Sequence, residues 1–194
     1  MNTRRDLWLP GIEHMPSPNA DERPPDADID LLVIHNISLP PGQFGGGFIN
    51  DLFLNRLDPA THPYFSDIAH LHVSAHLLIR RDGQVIQFVA LDQRAWHAGQ
   101  SVFCGRERCN DFSIGIELEG SDDIPFSEPQ YRELARLTAQ IRTLFPKIGD
   151  DRIVGHSDIA PGRKTDPGPC FDWRGFRERL ARTEQTETGS GRLA

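Results

Sequence analysis

Cysteine is scarce in this 194-residue chain: Cys104, Cys109 and Cys170 are an odd number without zinc-finger spacing. That argues against a disulfide-stapled secreted framework and for reduced thiols, although spacing alone leaves a Cys104–Cys109 bridge open. Long apolar runs are missing too. The N-terminal MNTRRDLWLPGIEHMPSPN carries two arginines with no signal-like apolar core behind them, and no later run could span a bilayer, so the expected location is the cytoplasm. Excess positive charge is equally absent. With 21 basic against 28 acidic residues the net charge is −7, which disfavours nucleic acid or an anionic membrane as partner and fits a neutral or mixed-charge small molecule. There is no HExxH motif, so no helix presents two imidazoles one turn apart, and any metal ligands must come from separate segments.

What is present is ordinary globular composition, 38% hydrophobic and 25% charged, in a length that allows one domain with a substantial core. Residues 1–29, ending in the Pro- and Asp-rich PSPNADERPPDADI, read as an irregular lead-in packed on the domain. The domain itself is expected over residues 30–181, and residues 182–194 as a disordered polar tail with little to bury. There are no internal repeats, and the expected state is a monomer.

LLVIHN, residues 31–36, reads as a buried strand broken by PPGQFGGG, which leaves His35 at a strand end. Phe48, Leu52 and Leu57 have the spacing of a short helix inside an excursion from Phe44 to Phe65, whose glycines permit a mobile lid. HVSAHLLIRRDGQVIQFVAL predicts a hairpin turning at Asp82-Gly83, a pair suited to type I′ geometry. DFSIGIELEG alternates Phe112, Ile114, Ile116 and Leu118 on one face with Ser113, Gly115, Glu117 and Glu119 on the other. Ser127 and Gln130 form a capping-box pattern ahead of the stripe Leu134, Leu137, Ile141, Leu144 and Phe145, and Asp172 is placed to cap a last helix through Trp173, Phe176 and Leu180. Interleaved strands and helices predict an α/β fold, a central mixed β-sheet flanked by helices, with the strand order unreadable.

A catalytic zinc in a hydrolase takes three protein ligands and leaves a fourth position for water. Eight histidines are available: His14, His35, His62, His70, His72, His76, His97 and His156. His35 and His156 share one context, an imidazole at the end of an apolar run before a Gly- and Pro-rich loop, where strand ends line pockets. Asp166 follows His156 by ten residues, on a loop that Pro161 and Gly162 can fold back. Spacing alone makes this a weak pattern, and Glu117 by itself reads as an ordinary solvent-facing strand carboxylate.

From HMPSPN through LLVIHNISLPPGQFG, NRLDPATHPYF, VSAHLLIRRDGQVIQFV, RAWHAG, GRERCNDFSIGIELEG and GHSDIAPGRKTDPGP, the sequence resembles the AmpD-type N-acetylmuramyl-L-alanine amidases. These belong to a larger group with the phage lysozyme-like amidases and the peptidoglycan-recognition proteins. The resemblance covers almost everything but the tail. It implies one zinc ion per chain held by His35, His156 and Asp166, Glu117 as the acid/base residue, Lys164 at the developing oxyanion, and substrate contacts from Asn36, Ala95, Trp96 and Arg108. The implied reaction is hydrolysis of the amide between (1,6-anhydro-)N-acetylmuramic acid and L-alanine in soluble muropeptides, in cytoplasmic cell-wall recycling. His76 is expected to be a core histidine, and Asp158 a turn or supporting residue. Ala75 stands where phage lysozyme-like relatives have a catalytic tyrosine, which shifts the burden to Glu117; His72 stands where AmpD proteins often have an arginine, which bears on peptide-carboxylate recognition. Two rival readings are an exported or phage-type lytic amidase acting on intact wall, and a non-catalytic recognition module, which would lack zinc ligands that are present here.

Overall fold

The protein is described over residues 7–190 by a computed structural model. Its strands are β1 (Glu13–His14), β2 (Ala20–Asp21), β3 (Leu31–Ile37), β4 (Leu77–Ile79), β5 (Val85–Gln87), β6 (Arg94–Ala95), β7 (Val102–Phe103), β8 (Arg106–Glu107), β9 (Ser113–Glu119) and β10 (Ile153–Gly155). Six of them form the main sheet in the order β1-β5-β4-β9-β3-β10. β4, β9, β3 and β10 run parallel, β5 pairs antiparallel with β4, and β1 pairs parallel with β5, so the expected mixed sheet is present. The remaining strands make two small antiparallel pairs, β2 with β6 and β7 with β8.

β3 and β9 pair from Leu31↔Ser113 to Ile37↔Glu119. Side chains alternate across a strand, so this register puts Leu32, Ile34, Ile114, Ile116 and Leu118 on one face. Helices α2 (Glu128–Leu144) and α4 (Trp173–Ser190) cover that face, with Leu134, Leu137, Ile141, Phe176 and Leu180 in the same apolar cluster. Each fully buried aliphatic side chain there contributes about 1.5–3 kcal/mol. α2 begins at the expected capping box: the Gln130 N–H donates to Ser127 Oγ at 3.3 Å and the Ser127 N–H to Gln130 Oε1 at 3.0 Å. The Gly175 N–H donates to Asp172 Oδ1 at 2.9 Å at the start of α4.

The other face carries Leu31, Val33, His35, Ser113, Gly115, Glu117 and Glu119. Over β4 it is covered by α1 (Phe48–Phe53) and the segment around it, where Leu52, Phe53 and Phe65 pack near Leu78. Toward β10 it is covered by α3 (His156–Ile159), whose Ile159 packs with Leu31 and Val33. The polar residues of β9 do not face solvent: all seven residues of the strand are buried.

Several expectations need correcting. The β4–β5 hairpin exists, but its turn is not type I′. The Arg80 N–H donates to the Gln84 carbonyl and the Gly83 N–H to the Arg80 carbonyl, both at 2.9 Å, leaving a three-residue loop in which only Gly83 has a positive φ, 91°. Type I′ demands positive φ at both central residues; Asp82 instead uses its carboxylate to accept the Gln84 N–H at 2.9 Å. The lead-in is not wholly irregular, since β1 extends the main sheet and β2 pairs with β6. Nor does the chain loosen at Arg182. α4 continues to Ser190, because the stretch is rich in helix-forming Arg, Glu and Gln and is tied to α2 by Arg142 Nη1 to Glu184 Oε1 at 3.1 Å; the rest of the expected tail lies outside the described residues. The expected reduced thiols, by contrast, are present: all three cysteines are free. The Gly-rich end of the Phe44–Phe65 excursion is fastened: Glu119 Oε1 accepts the Gly45 N–H at 2.7 Å and the Arg81 guanidinium lies 4.9 Å from the Phe44 ring centre. No helix among the described residues is long and apolar enough to cross a membrane.

Candidate metal centre

The register of the sheet builds the site. His35 in β3 pairs directly with Glu117 in β9, which places both side chains on one face near the C-terminal ends of parallel strands, where open sheets offer their clefts. β10 delivers His156 as the first residue of α3. α3 is fixed by the Gly155 N–H donating to Asp158 Oδ2 at 2.7 Å, which makes Asp158 a capping residue. The chain then loops back, and the Ser157 N–H donates to the Asp166 carbonyl at 3.0 Å. Asn36, one residue past His35, donates both amide hydrogens, to Asp122 Oδ1 at 2.7 Å and to the Pro167 carbonyl at 3.0 Å. These bonds hold the Asp166 carboxylate against the two imidazoles.

His35 Nδ1, His156 Nδ1 and Asp166 Oδ2 form a triangle with sides of 3.0, 3.1 and 3.1 Å. Three electron-pair donors that close make a seat for a cation, and the spacing suits donors about 2.0–2.2 Å from one ion. His156 Nε2 lies 3.1 Å from the Ala98 carbonyl, a pure acceptor, so its ring proton is on Nε2 and Nδ1 turns a lone pair inward. Burial pushes His35 down to about 4, against the pull of Asp166, so the ring is neutral at pH 7 and free to ligate. The trio can hold a metal ion. Two imidazoles and a carboxylate match the donor set of catalytic zinc.

Glu117 lies beside the trio with 9% of its surface exposed, and its Oε2 is buried without a hydrogen-bond partner in the protein. Burial, followed by the charge of Asp166, pushes its carboxyl well above the ordinary glutamate value, with Lys164 pulling it partway back. A cavity of about 340 Å³ opens over this group, with Lys164, Asn36 and Trp96 among its polar walls and Leu52, Tyr64 and Leu71 among its apolar ones.

The expected site residues therefore fall into two groups. His35, His156, Asp166, Glu117, Lys164, Asn36 and Trp96 meet at the cavity. Ala95 does not: its side chain is fully buried in the core beneath, because β6 pairs it with Ala20. Arg108 is displaced as well. It lines a separate depression with Asp21, Arg94 and Asp111, for which the Trp96 ring is a shared wall, and its side chain is 71% exposed. His72 is exposed, its Nδ1 3.4 Å from the Asn55 amide, and His76 is the core histidine expected, its Nδ1 accepting the Gly115 N–H at 3.0 Å. Sequence reasoning gives no role to Asp122 or His97. Asp122 lies 86 residues from its partner Asn36, which leaves no local signal.

Comparison with known proteins agrees with this geometry. Residues 25–169 match the profile of the N-acetylmuramoyl-L-alanine amidases. The 1,6-anhydro-N-acetylmuramyl-L-alanine amidase AmpD of Enterobacter cloacae is 56% identical over 180 residues, covering 93% of this chain and 96% of that protein. The crystal structure of a selenomethionine AmpD derivative matches with a TM-score of 0.88 at 56% identity, over 91% of this chain and 98% of that one. Escherichia coli AmiD, solved with the substrate anhydro-N-acetylmuramic acid-L-Ala-D-γ-Glu-L-Lys, matches with a TM-score of 0.58 at 30% identity, over 81% of this chain and 60% of that one. With sequence, fold and site in agreement, the chain belongs to the N-acetylmuramoyl-L-alanine amidase family.

Proposed function

We propose that this chain is a zinc amidase that hydrolyses the bond between (1,6-anhydro-)N-acetylmuramic acid and L-alanine in soluble muropeptides, as a cytoplasmic monomer in cell-wall recycling. One zinc per chain is held by His35, His156 and Asp166. The observation that carries the reading is the convergence of these three ligand atoms beside the buried, unpartnered carboxylate oxygen of Glu117. The AmpD relatives, named for this bond, and the anhydromuropeptide in AmiD support the substrate. We assign the catalytic domain to residues 30–181, with β1 and β2 of the lead-in joined to its sheets and α4 carrying it on to Ser190.

When bound, zinc supplies Lewis-acid polarisation and makes water acidic enough to lose a proton near neutral pH. Glu117 takes that proton as water adds to the lactyl carbonyl carbon, then gives it to the amide nitrogen as the C–N bond breaks, releasing a muramic carboxyl group and the amine of L-alanine, which settle as carboxylate and ammonium once the second water proton passes to the amine. Its raised proton affinity suits both steps. The Lys164 ammonium, lining the same cavity, offsets negative charge on the carbonyl oxygen. Asn36 has spent its amide hydrogens and offers Oδ1 to a substrate donor. The Trp96 indole, its N–H committed to Asp21 Oδ1 at 3.1 Å, presents a fixed wall to sugar or peptide.

The test is to incubate zinc-loaded protein with purified anhydromuropeptide and, in parallel, with intact sacculi, and to look for free stem peptide by mass spectrometry. Release from the soluble substrate is the expected result. Equal efficiency on sacculi would overturn the recycling assignment, and no release from either would overturn the activity.

A further inference from the structure

We infer that His97 is a positioning residue for the metal centre: it fixes which nitrogen of His35 carries the proton and so keeps the ligating one bare. The inference rests on the metal reading above and extends it to a residue outside the ligand set.

Each proton along this chain of contacts has one place to go. Ser113 Oγ lies 2.6 Å from the Cys109 carbonyl, a group that only accepts, so the hydroxyl proton is spent there. Ser113 Oγ can then only accept from His97 Nε2, 3.1 Å away, which puts the one proton of the neutral His97 ring on Nε2. His97 Nδ1 is left as a lone pair facing His35 Nε2 at 2.9 Å, and it receives the proton of that nitrogen. His35 Nδ1 therefore faces His156 and Asp166 without a proton. A carbonyl at one end of the chain thus sets the donor atom at the other.

The seat of the His97 ring is built for this contact. A Cβ on Gly115 would lie 2.5 Å from both Cγ and Nδ1 of the ring, so only glycine at the centre of β9 admits it. The backbone of His97 is pinned as well: its N–H and that of Ala98 donate to Asn110 Oδ1 at 3.1 and 2.8 Å. The ring serves one donor and one acceptor, the pattern of a neutral imidazole.

The experiment combines ring-nitrogen NMR of the metal-free wild type with zinc affinity measured by chelator competition. In the wild type, His97 and His35 should both carry their proton on Nε2; a proton on His97 Nδ1 would overturn the inference. His97→Phe keeps a ring in the seat but removes the acceptor, and should weaken zinc binding about 10–100-fold. His97→Gln, which retains an accepting oxygen, should recover part of that loss. Ser113→Ala, which frees the His97 tautomer, should weaken binding less than His97→Phe and mix the His97 proton between its nitrogens. Affinity of His97→Phe within about threefold of wild type would also overturn it. A wild type that binds no zinc defeats the metal reading itself, while the proton positions still test the hydrogen-bond chain. If His97→Phe does not fold, Ser113→Ala and the wild-type spectrum decide the question.

Discussion

The two faces of β9 are buried alike, yet they reach that state by opposite chemistry. On one, Ile114, Ile116 and Leu118 enter the cluster under α2 and α4, where any aliphatic shape of the right size gains from leaving water. On the other, Ser113, Gly115, Glu117 and Glu119 need individual partners: a carbonyl and a ring for Ser113, a ring seated over Gly115, three donors for Glu119. Glu117 alone has a buried oxygen with none. Stability and chemistry are thus assigned to opposite sides of one strand, and the side that does chemistry holds the unsatisfied group.

Glu117→Gln tests that division most severely. Loss of the acid/base group should lower kcat about 10²–10⁴-fold, measured as stem-peptide release. The same change should raise the unfolding midpoint of the metal-free protein at neutral pH. The sign follows from the raised pKa: the folded state keeps its proton where the unfolded chain has lost it, so wild-type stability falls as pH rises above the ordinary glutamate value, and the uncharged variant escapes this. Its advantage should widen with pH until the folded carboxyl ionises. A lower midpoint at pH 7 would break the comparison. On the opposite face, Leu137→Ala should cost about 2–5 kcal/mol in urea unfolding through the cavity it leaves, with kcat unchanged well below the midpoint. A matching fall in kcat would show that the faces are not separable.

The face covered by helices is the more legible in the sequence. Its signals are local: alternation over Ile114–Leu118, the Ser127–Gln130 box, the stripe of Leu134, Leu137 and Ile141; Phe112, expected on this face, packs with Leu31 and Val33 instead, and Leu144 is exposed. Two-residue strands such as β1 and β2 are too short to carry a period, and the polar end of α4 reads as a tail because its tie to Arg142 spans 42 residues of sequence. On the site face, the pairing of His35 with Glu117 depends on a parallel register between strands 82 residues apart, which no local pattern encodes. The metal trio is a weak spacing pattern until the family resemblance raises it. Resemblance in turn says nothing of the Ser113–His97 chain, or of the burial of the Ala95 side chain that the pairing of β2 with β6 brings about. Gly115 reads as one more small residue on a polar face; what it does is admit a ring.

A milder test lowers the pH on metal-free protein. Burial holds His76 down to about 3, with the Arg23 guanidinium adding to the effect. A depressed histidine contributes stability that is fully present above its ordinary value of 6.5 and is lost as pH falls toward the folded value. Each such ring then costs at most about 1.4 kcal/mol per pH unit, so in the Glu117→Gln background, where the opposing glutamate effect is gone, urea midpoints should decline from pH 6.5 downward. A flat profile between pH 6.5 and 5.5 would mean these rings are not buried neutral.

The smallest expected effect is the most discriminating, because it repeats the first substitution two residues along the same face. Glu119 is buried like Glu117, but its Oε1 accepts from Gly45 at 2.7 Å and Arg80 Nη1 at 3.4 Å, and its Oε2 from the Arg81 N–H at 3.2 Å. Glutamine in its place keeps one accepting oxygen and gives up the other, so Glu119→Gln should lose about 1 kcal/mol, mainly by loosening Gly45 and Arg81, and leave kcat unchanged. The two glutamates would then respond with opposite signs in stability, and only one of them would move activity. If Glu119→Gln instead stabilised the protein, burial alone would govern both positions and the partners of Glu119 would count for little. If it lowered kcat with stability intact, the Gly45 segment would belong to the catalytic face as well.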